Sequence, residues 1–188
     1  PTWNNFGATY YTNLVDIVGE AKQPSYVGYV EGIYVGYKFY ETAADEGLIN
    51  YEDVVQYPFG YGLSYTTFTQ EMGEIKEADG VLSVDVTVTN TGSVAGRDVI
   101  QLYFNPPYTN GGIEKATANL VAFDKTDIIE PGKSATYTLT WKVEDMASYD
   151  SKANGGNGAW VIEAGEYIIS LNSDSHNIIA EHKMTLNE

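Results

Sequence analysis

Two segments of this chain alternate between apolar and polar residues, and this pattern restricts the possible folds more than any other feature. Because successive side chains of a β-strand point to opposite faces, a period of two predicts a strand with one face in a hydrophobic core and the other in water. We therefore predict two half-buried strands. Their apolar residues are Leu82, Val84, Val86 and Val88 in the first segment and Ala135, Tyr137, Leu139, Trp141 and Val143 in the second.

Further extended segments follow at short intervals and are separated by residues that favour turns. They cover residues 100–104, 120–129, 159–163, 167–171 and 178–186. About seven short strands with regularly spaced turns over roughly 100 residues are typical of an immunoglobulin-like sandwich. The fold class that we predict is mainly β, with two sheets that bury their apolar rows against each other.

The chain before residue 66 has a different character, because it is rich in tyrosine and glycine and lacks the period of two. Apolar residues at steps of three and four predict a helix over residues 29–44, and a shorter helix is predicted over residues 13–18. A segment this small would struggle to build a core of its own. We therefore predict a partly helical arm, either the tail of a preceding domain or a segment packed on the sandwich.

The composition excludes several classes of partner. The formal charge is −16, with 26 acidic against 10 basic residues, which is the wrong sign for binding a phosphate backbone or an anionic lipid surface. Without cysteine there are no disulfides and no thiolate metal sites. We expect neither nucleic acid nor a membrane as a partner. The sequence starts without methionine or a signal segment, so we expect a piece of a longer protein, whose compartment (cytoplasmic or secreted) stays open.

Residues 57–68, which we call the connector, combine a proline, two glycines and several aromatic rings. The proline favours an extended backbone before it, and the glycines permit left-handed or tightly packed backbone. The rings offer large apolar areas with polar tips, so we expect the connector to lie against a protein surface. The residues predicted to make contact between domains are Tyr57, Pro58, Phe59, Gly60, Tyr61, Gly62, Leu63, Ser64 and Tyr65.

The connector resembles the PFGxGLSYTxF signature of family 3 glycoside hydrolases, β-glucosidases in particular. In that family the signature lies between an α/β sandwich domain and a C-terminal fibronectin type III-like domain. The resemblance implies that residues 1–56 are the tail of the α/β sandwich domain and that residues 57–68 link it to the next domain. Residues 69–188 would then form the fibronectin type III-like β-sandwich.

Other segments resemble the family in the same order along the chain. Residues 29–40 resemble Y-x-E-G-[IL]-x-V-G-Y-R-x-Y, with Lys38 in place of the usual arginine, which would alter any bidentate contact there. Residues 86–92 match V-x-V-x-N-T-G, and residues 96–103 match G-x-x-V-x-Q-L-Y. The later landmarks L-x-x-F and L-x-P-G have counterparts near residues 120 and 129. The similarity therefore covers nearly the whole chain.

The resemblance implies an enzyme whose reactive groups lie elsewhere. Family members are retaining glycosidases, with an aspartate nucleophile on a (β/α)8 barrel and an acid/base glutamate that usually lies upstream of the segment seen here. The chain has no match to the nucleophile motif and no room for a barrel of roughly 250 residues. We therefore expect no catalytic residue, cofactor or metal in this chain. Its expected partners are the remaining domains of the parent glycosidase and the parent's carbohydrate substrate.

Several side chains have alternative interpretations. Glu31 lies in a family-like segment and is a candidate for contact with substrate, although buried acids are more often structural. His176 and His182 lack a third ligand, which favours surface histidines over a metal site. The acidic run of Glu41, Asp45, Glu46, Glu52 and Asp53 is typical of a solvated face. The alternative function is a stand-alone carbohydrate-binding or adhesion module, in which Trp3, Trp141 or Trp160 stacks on sugars, although the apolar row favours a core role for Trp141.

Overall fold

The computed structural model describes residues 31–187. The chain divides into two compact units, Pro1–Val35 and Gly36–Glu188. The described residues of the first unit contain a turn, in which the Tyr34 N–H donates to the Glu31 carbonyl oxygen at 3.0 Å. The helix predicted over residues 13–18 and the side chain of Trp3 lie outside the described residues.

The second unit begins with two short helices, α1 (Tyr37–Asp45) and α2 (Tyr51–Val54). Helix α1 is shorter than the periodicity over residues 29–44 predicts. Gly32 and Gly36 adopt φ angles of 58° and 62°, in the left-handed region. A right-handed helix does not run through such residues, so α1 begins directly after the second glycine.

Ten β-strands follow in the described part of the chain. A 3-10 helix (Val143–Met146) precedes the seventh strand, and a helical turn, α3 (Ala153–Gly156), separates the seventh from the eighth. The strands are β1 (Phe68–Met72), β2 (Lys76–Ala78), β3 (Val81–Asn90), β4 (Val99–Asn105), β5 (Asn119–Lys125), β6 (Ser134–Lys142), β7 (Ser148–Asp150), β8 (Ala159–Val161), β9 (Gly165–Asn172) and β10 (Ile178–Leu186).

The strands form two antiparallel sheets and a separate hairpin. In the first sheet β3 pairs along its length with β6, and its other edge pairs with β1 and β2. The second sheet has the order β10–β9–β4–β5, and β7 pairs with β8 as the hairpin. This arrangement confirms the predicted mainly β fold.

The hydrophobic core combines apolar side chains from both sheets, as expected for a sandwich. Strand β3 shows the predicted alternation, because its apolar residues are buried and the intervening residues are partly exposed. Trp141 on β6 is a core residue, as predicted. The buried members of the core are Leu82, Val84, Val86, Val88, Ile100, Leu102, Phe104, Ile129, Leu139, Trp141, Met146, Tyr167, Ile169, Leu171 and Leu186.

Candidate interdomain site

The second sheet is buried on both faces along most of β4 and the last residues of β9. Ile100, Leu102 and Phe104 point into the core, so the residues between them point the opposite way. The opposite side chains are nevertheless buried, and Tyr103 is only 1% exposed. We call this second surface the covered face and define it by Gln101, Tyr103, Ser170 and Asn172, all of which are buried.

Helix α1 lies on the covered face. The ring of Tyr37 contacts that of Tyr103 edge to face, with centroids 5.9 Å apart. The Tyr37 hydroxyl accepts a hydrogen bond from the Leu120 N–H at 3.0 Å, and the Tyr103 hydroxyl donates to Gln101 Oε1 at 2.9 Å. Burial raises the pKa of both tyrosines above the ordinary value, so both hydroxyls keep their protons at neutral pH.

A buried carboxylate joins the two helices to the turn between β9 and β10. Glu41 Oε1 accepts hydrogen bonds from the hydroxyls of Tyr51 and Ser175, each at 2.7 Å. Its Oε2 lies 2.8 Å from Nδ1 of His176, whose ring stacks on Tyr51 at 3.6 Å between centroids. Burial, and then the hydrogen bond to Glu41, raise the pKa of Tyr51. We call these four residues the Glu41 cluster.

The Glu41 cluster has no geometry for nucleophilic catalysis, because the Ser175 hydroxyl donates to the carboxylate and not to an imidazole. It also corrects two predictions. Glu41 is buried and does not belong to a solvated acidic face, and His176 is partly buried and paired with Glu41, not free on the surface. The signal was available in the spacing, since Glu41 follows Tyr37 by four residues and therefore shares its face of α1.

The first half of the connector is fixed to the second sheet through its backbone. The Ser175 N–H donates to the Phe59 carbonyl at 2.8 Å, and Gln101 Nε2 donates to the Gly60 carbonyl at 3.3 Å. The Phe59 ring stacks on Tyr37, with centroids 4.8 Å apart. Gly60 has a φ of 84°, and a Cβ there would lie 2.2 Å from Gln101 Oε1, so only glycine fits this approach.

The second half of the connector is fixed to the turn after β3. The Thr66 hydroxyl donates to Oδ1 of the fully buried Asn90 at 2.7 Å, whose Nδ2 donates to the Ile129 carbonyl at 2.8 Å. A Cβ on Gly92 would lie 2.2 Å from the Thr66 hydroxyl oxygen. The asparagine and the glycine of the N-T-G segment therefore have a structural reason, which is to seat this end of the connector.

The outward side chains of the connector remain exposed. The rings of Tyr57 and Tyr61 lie 5.2 Å apart between centroids, and both are exposed. Beyond them Leu63 is 88% and Tyr65 is 99% exposed. Contiguous exposed apolar surface of this kind marks sites of protein interaction. One side of the connector is thus fixed to the sandwich, and the aromatic rings on its other side are exposed to solvent. Contact of those rings with another domain stays a prediction.

The remaining candidates give no second site. Glu31 is partly buried at the start of the turn in the first unit, and its contact with substrate stays a prediction. Within residues 31–187 no three histidine, aspartate or glutamate side chains are grouped to hold a metal ion. The helices of this described part are also too short and too polar to cross a membrane.

Most of the chain is similar in sequence to known proteins. Residues 98–175 match the model of the fibronectin type III-like domain. The chain is 38% identical over 164 residues to beta-glucosidase A of Butyrivibrio fibrisolvens, which covers 79% of this chain and 19% of that enzyme. It is 42% identical over 147 residues to a beta-glucosidase of Ruminococcus albus, with 78% and 14% covered. The chain therefore spans less than a fifth of the length of these curated relatives.

Solved structures show the same relationship. Beta-glucosidase 3B from Thermotoga neapolitana, in complex with glucose, superposes with a TM-score of 0.72 at 37% identity, over 86% of this chain and 20% of that one. The beta-glucosidase from Kluyveromyces marxianus, also in complex with glucose, gives a TM-score of 0.74 at 32% identity, over 86% and 18%. Both matches are small parts of much longer chains.

Proposed function

Since the chain matches a C-terminal part of the family 3 β-glucosidases, we propose that it braces the catalytic domains of such an enzyme through the exposed side of the connector. One observation carries the proposal. The connector backbone is fastened to the sandwich at Phe59, Gly60 and Thr66, while Leu63 and Tyr65 are left almost fully exposed. A segment that is fixed on one side and exposes apolar side chains on the other is suited to bind a second protein surface.

The energetics favour this role. Burying a large apolar side chain contributes about 1.5–3 kcal/mol relative to leaving it in water. The glycines and backbone hydrogen bonds hold the connector in one conformation before any partner arrives, so docking loses little backbone entropy. The exposed side chains of the connector are therefore sufficient to contribute several kcal/mol to domain association. They are Tyr57, Tyr61, Leu63 and Tyr65.

The parent reaction that we propose is retaining hydrolysis of terminal β-D-glucosides or similar glycosides. Such a reaction needs two carboxyl groups about 5–5.5 Å apart across the scissile bond. Two carboxylates of the second unit are buried, Glu41 and Asp174, and each accepts hydrogen bonds from several donors within the chain. We therefore assign the reactive carboxyls to the other domains and expect the isolated chain to leave an aryl β-glucoside unhydrolysed.

The test uses the parent enzyme with the Tyr65→Ala and Leu63→Ala substitutions. Each removes a side chain that is almost fully exposed in this chain, so each should destabilise the parent by about 2 kcal/mol and change the isolated chain by less than about 0.5 kcal/mol. Tyr108→Ala is the control, because Tyr108 is an exposed tyrosine, at 48%, that lies outside the connector. Unchanged melting and turnover in both connector variants would contradict the bracing role.

The alternative, a carbohydrate-binding module, has one observation in its favour. Trp160 on β8 is 72% exposed and meets Tyr149 edge to face at 5.4 Å between centroids. An exposed indole face can stack on a sugar ring. Titration calorimetry of the isolated chain with cello-oligosaccharides or β-glucan distinguishes the two functions. Saturable binding that Trp160→Ala abolishes would support the alternative, and absence of heat would leave the bracing role.

A further inference from the structure

A cavity of about 330 Å³ opens beside α1 on the covered face. Its wall includes Glu41 and Asp45 from α1, Asn172 from β9 and Glu181 from β10. Among the described residues no lysine or arginine lines it. The cavity lies between α1, the second sheet and the adjoining turns and is partly open to solvent, and its wall contains three carboxylates and the imidazole of His176.

Asn172 gives the cavity an unused acceptor. The residue is 2% exposed, and its Oδ1 is buried without a hydrogen-bond partner among residues 31–187. A buried polar atom left unpaired costs free energy, and a carbonyl oxygen can only accept. A ligand that satisfies this atom must therefore carry an N–H or O–H donor.

The carboxylates are arranged by depth. Glu41 is buried, and its orientation is fixed by three donors from the Glu41 cluster. Asp45 and Glu181 are exposed, and neither takes part in an ion pair within residues 31–187. Two carboxylates near the entrance and one at depth attract a positive charge, and the weakly screened interior strengthens that attraction.

We propose that this cavity receives an arginine or lysine side chain from another domain of the parent enzyme. Such a side chain has an apolar stem, N–H donors for Asn172 Oδ1 and the positive charge that the carboxylates require. The inference rests on the proposed function. More than four fifths of the related enzyme from Butyrivibrio fibrisolvens lies outside the matched region. Helix α1, which borders the cavity, contacts the connector, because the Tyr37 ring stacks on the Phe59 ring.

The test titrates the 188-residue chain with n-propylguanidinium chloride and, separately, with n-butylammonium chloride, which represent arginine and lysine. Amide resonances of Ser170 and Asn172 should shift saturably, with a dissociation constant on the order of 10 mM for probes this small. The stronger of the two probes identifies the side chain. Neutral n-propylurea has donors without charge and should not saturate.

Charge variants supply the matched controls. Asp45→Asn and Glu181→Gln should each weaken binding of the stronger probe by about two- to fivefold, and added salt should weaken it further. Glu77→Gln neutralises an exposed carboxylate on β2 in the first sheet and should change nothing. Absence of saturable shifts, equal binding of the urea or an equal effect of Glu77→Gln would each overturn the proposal.

The outcome is separable from that of the bracing test. If the probe binds but Tyr65→Ala leaves the parent enzyme unchanged, the cavity still selects cations and the bracing role of the connector fails. If the connector variants weaken the parent but the chain ignores both cationic probes, the connector docks and the cavity receives no basic side chain.

Discussion

The two sheets of this sandwich share a core but differ on their outer faces. The first sheet presents a polar outer face, where hydroxyls pair across strands, as between Thr87 and Thr136 at 3.0 Å. The second sheet buries its outer face along β4 and the last residues of β9, where Tyr103 contacts the Tyr37 ring of α1 and Asn172 is also buried. The comparison shows how a sandwich gains a surface for attachment. The polar residues of one outer face form hydrogen bonds with other protein segments, and these replace hydrogen bonds with water.

The same contrast explains the two patterns of burial along the strands. Strand β3 alternates as a half-solvated strand does, whereas five consecutive residues of β4 are buried. In a strand that is covered on both sides, the polar residues that point away from the core form hydrogen bonds with the covering segments. Gln101 is the example, because its side chain bonds to Gly60, Ser173 and Tyr103. Substitutions on the covered face should therefore cost much more than equivalent substitutions on the open face of the first sheet.

Glu41→Ala should have the largest effect. It leaves the hydroxyls of Tyr51 and Ser175 without their acceptor in a buried setting, which should lower the free energy of unfolding by about 3 kcal/mol. Urea denaturation of the isolated chain measures the change. Asp85→Ala is the control on the outer face of the first sheet. Asp85 also accepts a hydrogen bond from a hydroxyl, that of Thr138 at 2.6 Å, but this hydrogen bond is exposed to water. That control should cost less than about 0.5 kcal/mol, and equal losses would erase the contrast between the two sheets.

Gly60→Ala should come second, at about 2 kcal/mol. The new methyl group would collide with the Gln101 amide, and φ of 84° strains any residue with a Cβ. Gly62→Ala is the internal control, since a Cβ at Gly62 meets no atom of the described residues within 4 Å, and it should change the free energy of unfolding by less than about 0.5 kcal/mol. Similar losses in the two variants, measured by the same denaturation, would mean that the connector is not seated at Gly60.

The sequence predicted the open sheet better than the covered one. The period of two located β3 and β6, because one face of each strand is in water and the pattern records that difference. It did not reveal that Gln101 and Tyr103 are buried, since the residues that cover them come from α1 and the connector, distant in sequence. The burial of Glu41 is hidden for the same reason, because two of its three donors, Ser175 and His176, lie more than 130 residues later, and the third, Tyr51, belongs to a separate helix.

Glycine marked the connector in the sequence without giving its orientation. Gly60 and Gly62 are equivalent candidates for close packing in the sequence, and the structure distinguishes them by the left-handed φ of Gly60 and by its contact with the Gln101 side chain. The pattern does not predict strands β1, β2 and β7, which are three to five residues long and carry few repeats of a period of two, although the equally short β8 lies within the predicted segment 159–163.

Tyr103→Phe should have a moderate effect of about 1 kcal/mol. The substitution keeps the ring on Tyr37 and removes only the hydroxyl that donates to Gln101 Oε1. The buried oxygen then loses its partner, which costs about 1–3 kcal/mol, offset in part by the easier burial of phenylalanine. Thermal unfolding of the isolated chain measures the change. A neutral result would mean that Gln101 is held by Gly60 and Ser173 alone.

Thr87→Val should have the smallest effect. Thr87 and Thr136 are directly paired on β3 and β6, and their hydroxyls bond each other on a face that water reaches. Valine keeps the β-branched shape, and the remaining Thr136 hydroxyl turns to water, so the change should be less than about 0.5 kcal/mol in either direction. The comparison with Tyr103→Phe uses one hydroxyl on each sheet and the same denaturation. A loss at Thr87 as large as that at Tyr103 would mean that the outer face of the first sheet is also covered, and a single attachment surface on the second sheet would then be the wrong description.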